Sequence, residues 1–166
     1  SVEVLRALAA ANAAIAAQLA LDAPSRVASL ALINPAGLGD EIDPVYTQGF
    51  VAAKSRRELK PVLERLFADP SLASRKLIDD VLKFKRVDGI DDLLDRLRSA
   101  LFEGGRQAAQ PGRRIDAQRV RTLVLWGRDD QVIPAAHAAN APAGAVVNIV
   151  EGAGHMLMLE KASEVN

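Results

Sequence analysis

The sequence predicts an α/β fold with about three parallel strands flanked by helices, and three observations support this prediction. Apolar runs of strand length occur three times, at Ala28–Ile33, Thr122–Trp126 and Ala145–Val150. Helical patterns separate these runs, as expected when parallel strands are joined by crossover connections. Polar residues follow each run, at the edge of an open parallel sheet where ligands and chemistry usually gather.

Length and composition limit the possible functions. The 166 residues suffice for one domain with a core, and equal numbers of basic and acidic residues, 21 each, give no electrostatic argument for binding nucleic acid or an anionic membrane. The absence of cysteine excludes disulfides and thiolate metal sites, and two histidines make a histidine metal cluster improbable. We therefore expect no metal or cofactor, no membrane-spanning segment and a cytoplasmic protein.

The N-terminal segment, residues 1–22, is predicted to form one Ala-rich helix. Nine of the fourteen residues from Ala7 to Ala20 are alanine, the strongest helix former, and no Gly or Pro precedes Pro24. Such small side chains allow a helix to pack closely against a sheet or against another helix.

Residues 40–110 are predicted to be mainly helical. Ser55 followed by Glu58 has the spacing of a capping box, which marks a helix start. Pro44 and Gly49 instead predict a mainly irregular stretch before it. Three amphipathic patterns define the predicted helices, at Ser55–Phe67, Ser71–Lys85 and Ile90–Phe102.

Two candidate catalytic residues follow neighbouring predicted strands. Asp130 comes after Thr122–Trp126, and His155 ends a glycine-rich loop after Ala145–Val150. If these strands are parallel neighbours, both side chains project from one edge, where an acid can hold an imidazole in one tautomer, as in a nucleophilic triad. Asp130 could instead cap a turn or the following helix. Asp129 is predicted to be a turn residue and His137 an exposed surface residue.

The segments around these residues resemble a known family. The stretch from Trp126 to Pro134, followed by Gly152-Ala-Gly-His155, is similar to the acid and histidine segments of α/β-hydrolase-fold enzymes, and most similar to hydrolase-like domains of acetoin dehydrogenase acyltransferase components. Ala14–Pro24 and Val27–Gly37 resemble the helix and the strand that follow the family's nucleophile. The resemblance implies that Asp130 and His155 occupy the catalytic acid and base positions, and that residues 40–110 form a helical lid.

The family's nucleophile motif, Gly-x-Ser-x-Gly, does not occur in this sequence. The resemblance places Ala10 at the nucleophile position, and alanine has no nucleophilic atom. We therefore interpret the chain as a truncated or re-engineered C-terminal part of a hydrolase or acyltransferase, inactive alone. Two alternatives stay open: a subunit of a split esterase or acyltransferase completed by another chain, and a noncatalytic module that binds a small acyl or ester ligand.

The predicted organisation is a single domain over residues 1–166. The Ala-rich helix occupies 1–22, the sheet core 23–39 and 111–166, and the lid 40–110. In the family, the nucleophile strand pairs with the open side of the strand matching Ala28–Ile33, and no counterpart of that neighbour is found here. Because an unpaired edge favours association, we expect a homo-oligomer formed through this edge or through the Ala-rich helix.

Overall fold

A three-stranded parallel sheet lies at the centre of the computed structural model, which describes residues 9–165. The elements, in chain order, are α1 (Ala9–Asp22), β1 (Ser29–Ile33), α2 (Pro44–Ala52), α3 (Arg56–Glu64), α4 (Arg75–Lys85), α5 (Ile90–Leu101), β2 (Phe102–Glu103), β3 (Arg106–Gln107), β4 (Arg121–Gly127), β5 (Val146–Val150), α6 (Leu157–Glu160) and α7 (Ala162–Val165). Short 3₁₀ turns cover Pro24–Arg26, Pro70–Leu72, Pro111–Arg114 and Ala135–Asn140.

The sheet confirms the predicted α/β class and the predicted strand neighbours. Its order is β1-β4-β5, with β1 paired in parallel to β4 from Ser29 opposite Arg121, and β4 paired in parallel to β5 from Leu123 opposite Val146. The carboxyl ends of β4 and β5 therefore lie side by side. The acid and histidine loops begin at those two ends.

The two faces of the sheet are covered to different extents. Leu32, Val124 and Trp126 on one face are completely or almost completely buried, in a core that also contains Ala17 of α1. Small side chains in α1 allow this close packing. On the other face, a smaller cluster joins Leu125 to Ala153 and Leu157, while Ala31 of β1 stays exposed. The predicted Ala-rich helix is observed from Ala9 onward, and residues 1–8 lie outside the described part of the chain.

The prediction of an irregular stretch around Pro44 and Gly49 was wrong, because these residues belong to α2. Asp43 caps this helix, its carboxylate accepting hydrogen bonds from the backbone N–H of Val45 and of Tyr46, each at 3.0 Å. Pro44 occupies the first helical turn, where a proline's missing N–H would have no helical partner. Gly49 allows α2 to approach α3 closely, since a Cβ there would lie 2.7 Å from the side chain of Val62.

The predicted capping box is confirmed at the start of α3. The Ser55 hydroxyl accepts from the Glu58 N–H at 3.4 Å, and the Glu58 carboxylate accepts from the Ser55 N–H at 3.2 Å. The next helix begins later than predicted, because Ser74, rather than Ser71, caps α4 through the Leu77 N–H at 3.2 Å. The C-terminal helix expected over Met156–Asn166 is instead two short helices, α6 and α7, with Asn166 outside the described residues.

Lys85 joins three helices of this helical segment. It is 3% exposed, and its Nζ donates to the backbone oxygen of Val51 at 3.1 Å and lies 3.3 Å from a carboxylate oxygen of Asp91. Burial lowers the pKa of Lys85, and the Asp91 charge opposes that effect. The ammonium group thus links α4 to the end of α2 and the start of α5.

Candidate active site

Asp130 lies immediately beyond β4, and both oxygens of its carboxylate are in use. Oδ1 accepts from the backbone N–H groups of Val132 and Ile133, at 2.8 and 2.9 Å. Oδ2 faces His155, whose Nδ1 lies 2.8 Å away. The side chain of Asp130 is 0% exposed. Asp130 therefore caps the turn with one oxygen and binds His155 with the other, so the two roles are not alternatives.

His155 is brought to Asp130 by the parallel pairing of β4 with β5. An ionised carboxylate only accepts hydrogen bonds, so Nδ1 of His155 carries a proton, and in the neutral imidazole Nε2 is then the acceptor. The Nε2 atom makes no hydrogen bond to any residue between 9 and 165. This is the arrangement of a general base and its orienting acid. The sequence predicted that both residues lie at one edge, and the structure adds their direct contact.

Trp126 also binds the acid, a contact that the sequence analysis missed. Its indole Nε1 donates to Oδ2 of Asp130 at 3.1 Å and to the backbone oxygen of Ile133 at 3.2 Å. The indole is 0% exposed. An aromatic residue near the end of a buried strand is expected in a core, and no feature of the sequence distinguishes a core tryptophan from one that binds an acid.

Asn34 holds the ends of all three strands together. Its Nδ2 donates to the backbone oxygens of Gly154 and His155, at 3.1 and 2.6 Å, and its Oδ1 accepts from the Gly127 N–H at 2.8 Å. The residue is 1% exposed and has a φ of 43°, a left-handed conformation that asparagine tolerates better than most residues. Asn34 follows a predicted strand just as Asp130 does, so the same sequence signal could have identified it.

Two glycines allow close backbone approach at this site, Gly127 between the acid and histidine loops and Gly154 between the histidine loop and the segment after α3. A Cβ on Gly127 would lie 2.3 Å from the backbone oxygen of Gly154 and 2.4 Å from that of Ala153. A Cβ on Gly154 would lie 2.7 Å from the backbone nitrogen of Ala68. Backbone at these distances leaves no space for a side chain, so both loops depend on glycine.

The helical segment is anchored to the histidine loop through Glu160. One carboxylate oxygen accepts from the Ala68 N–H at 2.8 Å, and the other accepts from the Gly154 N–H at 2.7 Å. The Met156 N–H donates to the backbone oxygen of Leu66 at 2.9 Å. The residues on both sides of His155 are therefore fixed to the segment that follows α3.

The start of α2 lies close to the acid. The Asp43 N–H donates to the backbone oxygen of Val132 at 2.8 Å, which joins the cap of α2 to the turn that binds Asp130. Burial raises the pKa of the Tyr46 phenol, and the negative charge of Asp130 raises it further. The Asp43–Val132 hydrogen bond thus holds the first turn of α2 next to the turn that binds the acid.

The prediction that His137 is exposed was wrong, because the residue is 5% exposed. Its ring packs edge-on against Trp126, with centroids 6.2 Å apart, and its Nε2 lies 3.4 Å from a carboxylate oxygen of Glu41. Nδ1 is buried without a partner among the described residues. Gly39 makes room for the imidazole, since a Cβ there would lie 2.5 Å from three of its ring atoms. The prediction of exposure assumed a short helix with a polar side at this position, whereas packing against Trp126 buries the imidazole.

Comparison with known proteins identifies the family. A family model described as the α/β hydrolase fold matches residues 13–162. The chain belongs to the α/β hydrolase fold family. Solved hydrolases share this architecture: a meta-cleavage product hydrolase from Pseudomonas fluorescens IP01 superposes with a TM-score of 0.75 at 19% identity, covering 92% of this chain and 58% of that one.

Curated relatives place the chain more closely within the α/β hydrolase family. It is 55% identical over 152 residues to the dihydrolipoyllysine-residue acetyltransferase component of the acetoin cleaving system of Cupriavidus necator, covering 92% of this chain and 41% of the relative. The corresponding protein of Pseudomonas putida is 47% identical, with 87% and 38% covered. The chain thus spans about two fifths of the length of these relatives, and the predicted resemblance is confirmed.

Asp130 and His155, which the resemblance assigns to the acid and base positions, are in contact, but a nucleophile is not evident among residues 9–165. Ala10, which the resemblance aligns with the nucleophile, lies in the first turn of α1. Ser25 lies in a 3₁₀ turn and Ser29 within β1, neither of them on a strand-to-helix elbow. Asp129 lies in the turn after β4, as predicted, with its side chain exposed.

Residues 9–165 contain no group of three or more His, Cys, Asp or Glu side chains that could hold a metal ion. None of their helices is long and apolar enough to cross a membrane. An apolar cavity of about 340 Å³ lies between α1 and the end of α5, lined mainly by Ala14, Ile15, Leu97, Leu101, Phe102 and Pro111.

Proposed function

We propose that this chain supplies the acid and the general base of an acyl-transfer or ester-hydrolysis site and is inactive without a nucleophile from elsewhere. The observation that carries the proposal is the 2.8 Å contact between Nδ1 of His155 and Oδ2 of Asp130, with Nε2 left unbonded among the described residues. A histidine oriented in this way accepts a proton from a serine hydroxyl and returns it to the leaving group.

Acyl transfer is supported by the relatives as well as by the geometry. The Cupriavidus necator relative, 55% identical, is named an acetyltransferase component, and this supports an acyl ester or thioester as the substrate class. Removing the nucleophile from a serine triad lowers kcat by about 10⁶-fold, so we expect no measurable turnover from the chain alone. A chain of this kind corresponds to the C-terminal part of a hydrolase fold. The first alternative, a split enzyme, differs only in whether a natural partner supplies the rest.

The test is complementation. The part of the Cupriavidus necator relative that this chain does not cover is fused ahead of Ala14 or added as a separate chain. Hydrolysis of p-nitrophenyl acetate and labelling by a fluorophosphonate probe are then measured. We expect neither signal from the chain alone and both from the complemented protein. His155→Gln should abolish turnover, and Asp130→Asn should lower kcat by about 10⁴-fold because the imidazole takes the wrong tautomer.

Asp129→Asn provides the matched control, since it makes the same chemical change one residue away on an exposed side chain. It should leave turnover in the complemented protein unchanged. Ester hydrolysis and probe labelling by the chain alone would contradict the proposal. So would a complemented protein that keeps its turnover after His155→Gln.

A noncatalytic binding module is the second candidate, and the apolar cavity between α1 and α5 favours it. Its volume of about 340 Å³ and its mainly apolar lining suit a small acyl or ester ligand. The helical segment between β1 and β4 then acts as a lid, as it does if the site is catalytic. Thermal stabilisation of the chain by short-chain esters, lost in Leu97→Asp, would support this candidate in the absence of any turnover.

We also propose that the chain forms a homo-oligomer. β1 lies at the end of the sheet order, with the side chains of Ser29 and Ala31 exposed, and α1 exposes Ile15 (67%) and Leu19 (49%). An open edge and an exposed apolar stripe both favour association. Sedimentation should show a dimer that Ile15→Asp or Ala31→Pro weakens. A monomer at micromolar concentration would contradict this proposal.

A further inference from the structure

We propose that Trp126 is a positioning residue for the Asp130–His155 pair: its indole N–H fixes the acid and shares Oδ2 with the imidazole. The inference rests on the proposed function, because it concerns how the same acid and base are held. The acid motif in the sequence does not assign Trp126 any role in positioning the acid, and the proposal adds that role.

The carboxylate of Asp130 receives four hydrogen bonds from fixed donors. Two backbone N–H groups bind Oδ1, and the indole of Trp126 and the imidazole of His155 bind Oδ2, at 3.1 and 2.8 Å. The side chain is 0% exposed, so water cannot replace a lost donor. Four donors stabilise the ionised carboxylate and permit a single orientation of its plane.

Two donors on one oxygen compete for its charge. With the indole present, Oδ2 divides its negative charge between Trp126 and His155, which weakens each hydrogen bond relative to a single donor. Without the indole N–H, His155 would be the only donor to Oδ2. Its Nδ1–H bond would shorten and strengthen, and the carboxylate would be held on that side by the imidazole alone. The indole therefore controls both the orientation of the acid and the strength of its bond to the base.

The packing around the indole keeps its N–H directed at the acid. The imidazole of His137 contacts the ring edge-on, with an interplanar angle of 86°. The Ile133 backbone oxygen already provides an acceptor at 3.2 Å, so burial alone does not require the bond to Asp130. The second bond, to a charged oxygen, is the one that acts on the base.

Trp126 is the only tryptophan in the chain, so replacing tryptophan throughout the protein is a site-specific change. Benzothienylalanine has nearly the same shape but sulfur in place of N–H, and fluorotryptophan retains the N–H and serves as the matched control. The readout is the NMR signal of the proton on Nδ1 of His155. With two histidines in the chain, this signal is assigned by its loss in His155→Gln.

We expect the Nδ1 proton signal to move downfield in the benzothienylalanine protein and to stay in place in the fluorotryptophan protein. Equal positions in both proteins, or an upfield movement with benzothienylalanine, would overturn the proposal. Urea unfolding of both proteins verifies that they fold. If the replacement prevents folding, Trp126→Phe, which also removes the N–H, is measured in the same way.

Complemented protein provides the second readout. Trp126→Phe removes a hydrogen bond to a charged group and should lower kcat by about 10-fold. KM should be unchanged, because this bond orients the base rather than binding substrate. The NMR result needs no turnover. An inactive complemented protein would therefore disprove the proposed function while leaving the role of Trp126 to be decided by the proton signal.

Discussion

The side-chain amide of Asn34 donates to the backbone oxygen of His155 at 2.6 Å, although 121 positions separate the two residues in the chain. The same side chain accepts from the Gly127 N–H at the start of the acid loop. One buried amide thus ties the end of β1 to the two loops that carry the candidate acid and base. The relative position of those loops depends on a residue that makes no contact with either functional group.

Asn34→Ala should lower the free energy of unfolding by about 2–4 kcal/mol, since three hydrogen bonds are lost and buried backbone groups stay unpaired. Asn34→Gly removes the same bonds but suits the left-handed φ of 43°, so it should cost less than Asn34→Ala. Urea unfolding measures both. Asn148→Ala, at an exposed position in β5, is the control and should stay within about 0.5 kcal/mol. Equal stability of Asn34→Ala and Asn148→Ala would refute the role of the amide.

Gly127→Ala should destabilise the protein by about 3 kcal/mol, because the added methyl group would lie 2.3 Å from the Gly154 backbone oxygen. It should also displace the Nδ1 proton signal of His155, since the two loops must separate. Gly89→Ala is the contrasting variant: its φ of 79° is unfavourable for alanine but nothing lies within 4 Å, so the cost should be about 1 kcal/mol. An unchanged histidine signal in Gly127→Ala would show that the loops do not need this close approach.

Tyr46 should resist ionisation in the folded protein. Burial raises its pKa above the ordinary 10.0, and the charge of Asp130 adds to the effect. The unfolded chain therefore loses this proton at lower pH than the folded chain does. Its contribution to stability is complete below pH 10 and is lost as the pH rises further. Tyr46→Phe should lack that alkaline loss.

The measurement is direct because Tyr46 is the only tyrosine. The near-ultraviolet absorbance of its phenolate should appear at higher pH in the folded chain than in urea, and no earlier than unfolding reported by Trp126 fluorescence. Ionisation of the folded protein near pH 10 would mean that the phenol is hydrated and distant from the acid.

His137→Ala should lower the free energy of unfolding by about 1–3 kcal/mol, because the ring fills space between Gly39 and Trp126. The fluorescence of the single tryptophan should change with the loss of this contact. Asn140→Ala, at an exposed position of the same 3₁₀ turn, is the control for both measurements. An effect as small as that of Asn140→Ala would restore the original prediction of a surface histidine.

Local patterns predicted most of the scaffold and the two principal site residues. The strands, the Ser55–Glu58 capping box and the common edge of Asp130 and His155 all follow from short-range rules. The start of α2 was missed because Pro44 was treated as a helix breaker, whereas Asp43 before it makes it a helix start. His137 was misplaced because its burial depends on a ring more than ten residues away, and no periodicity encodes that contact.

The hydrogen bonds that Asn34 and Trp126 make could not be predicted from the sequence, for a related reason. Asn34 directly follows β1 and Trp126 lies within β4, and each residue type fits its position without any functional explanation. What distinguishes each is a hydrogen bond to a residue outside its own strand. Asn34 binds residues 120 and 121 positions away, and Trp126 binds an acid only four positions along but around a turn. Such contacts exist only once the strand register is set.

Ser29 and Arg121 face each other in the parallel pairing of β1 with β4, although most of the chain lies between them in sequence. Closing so long a loop is entropically unfavourable, whereas α2 to α5 are stabilised by contacts close in sequence. We expect these helices to acquire amide protection early in refolding, and β4 and both loops to acquire it last. Pulse-labelling hydrogen exchange would reveal that order. The acid and the base would then meet only in the final kinetic step, so any species trapped before it would be compact, helical and without a site.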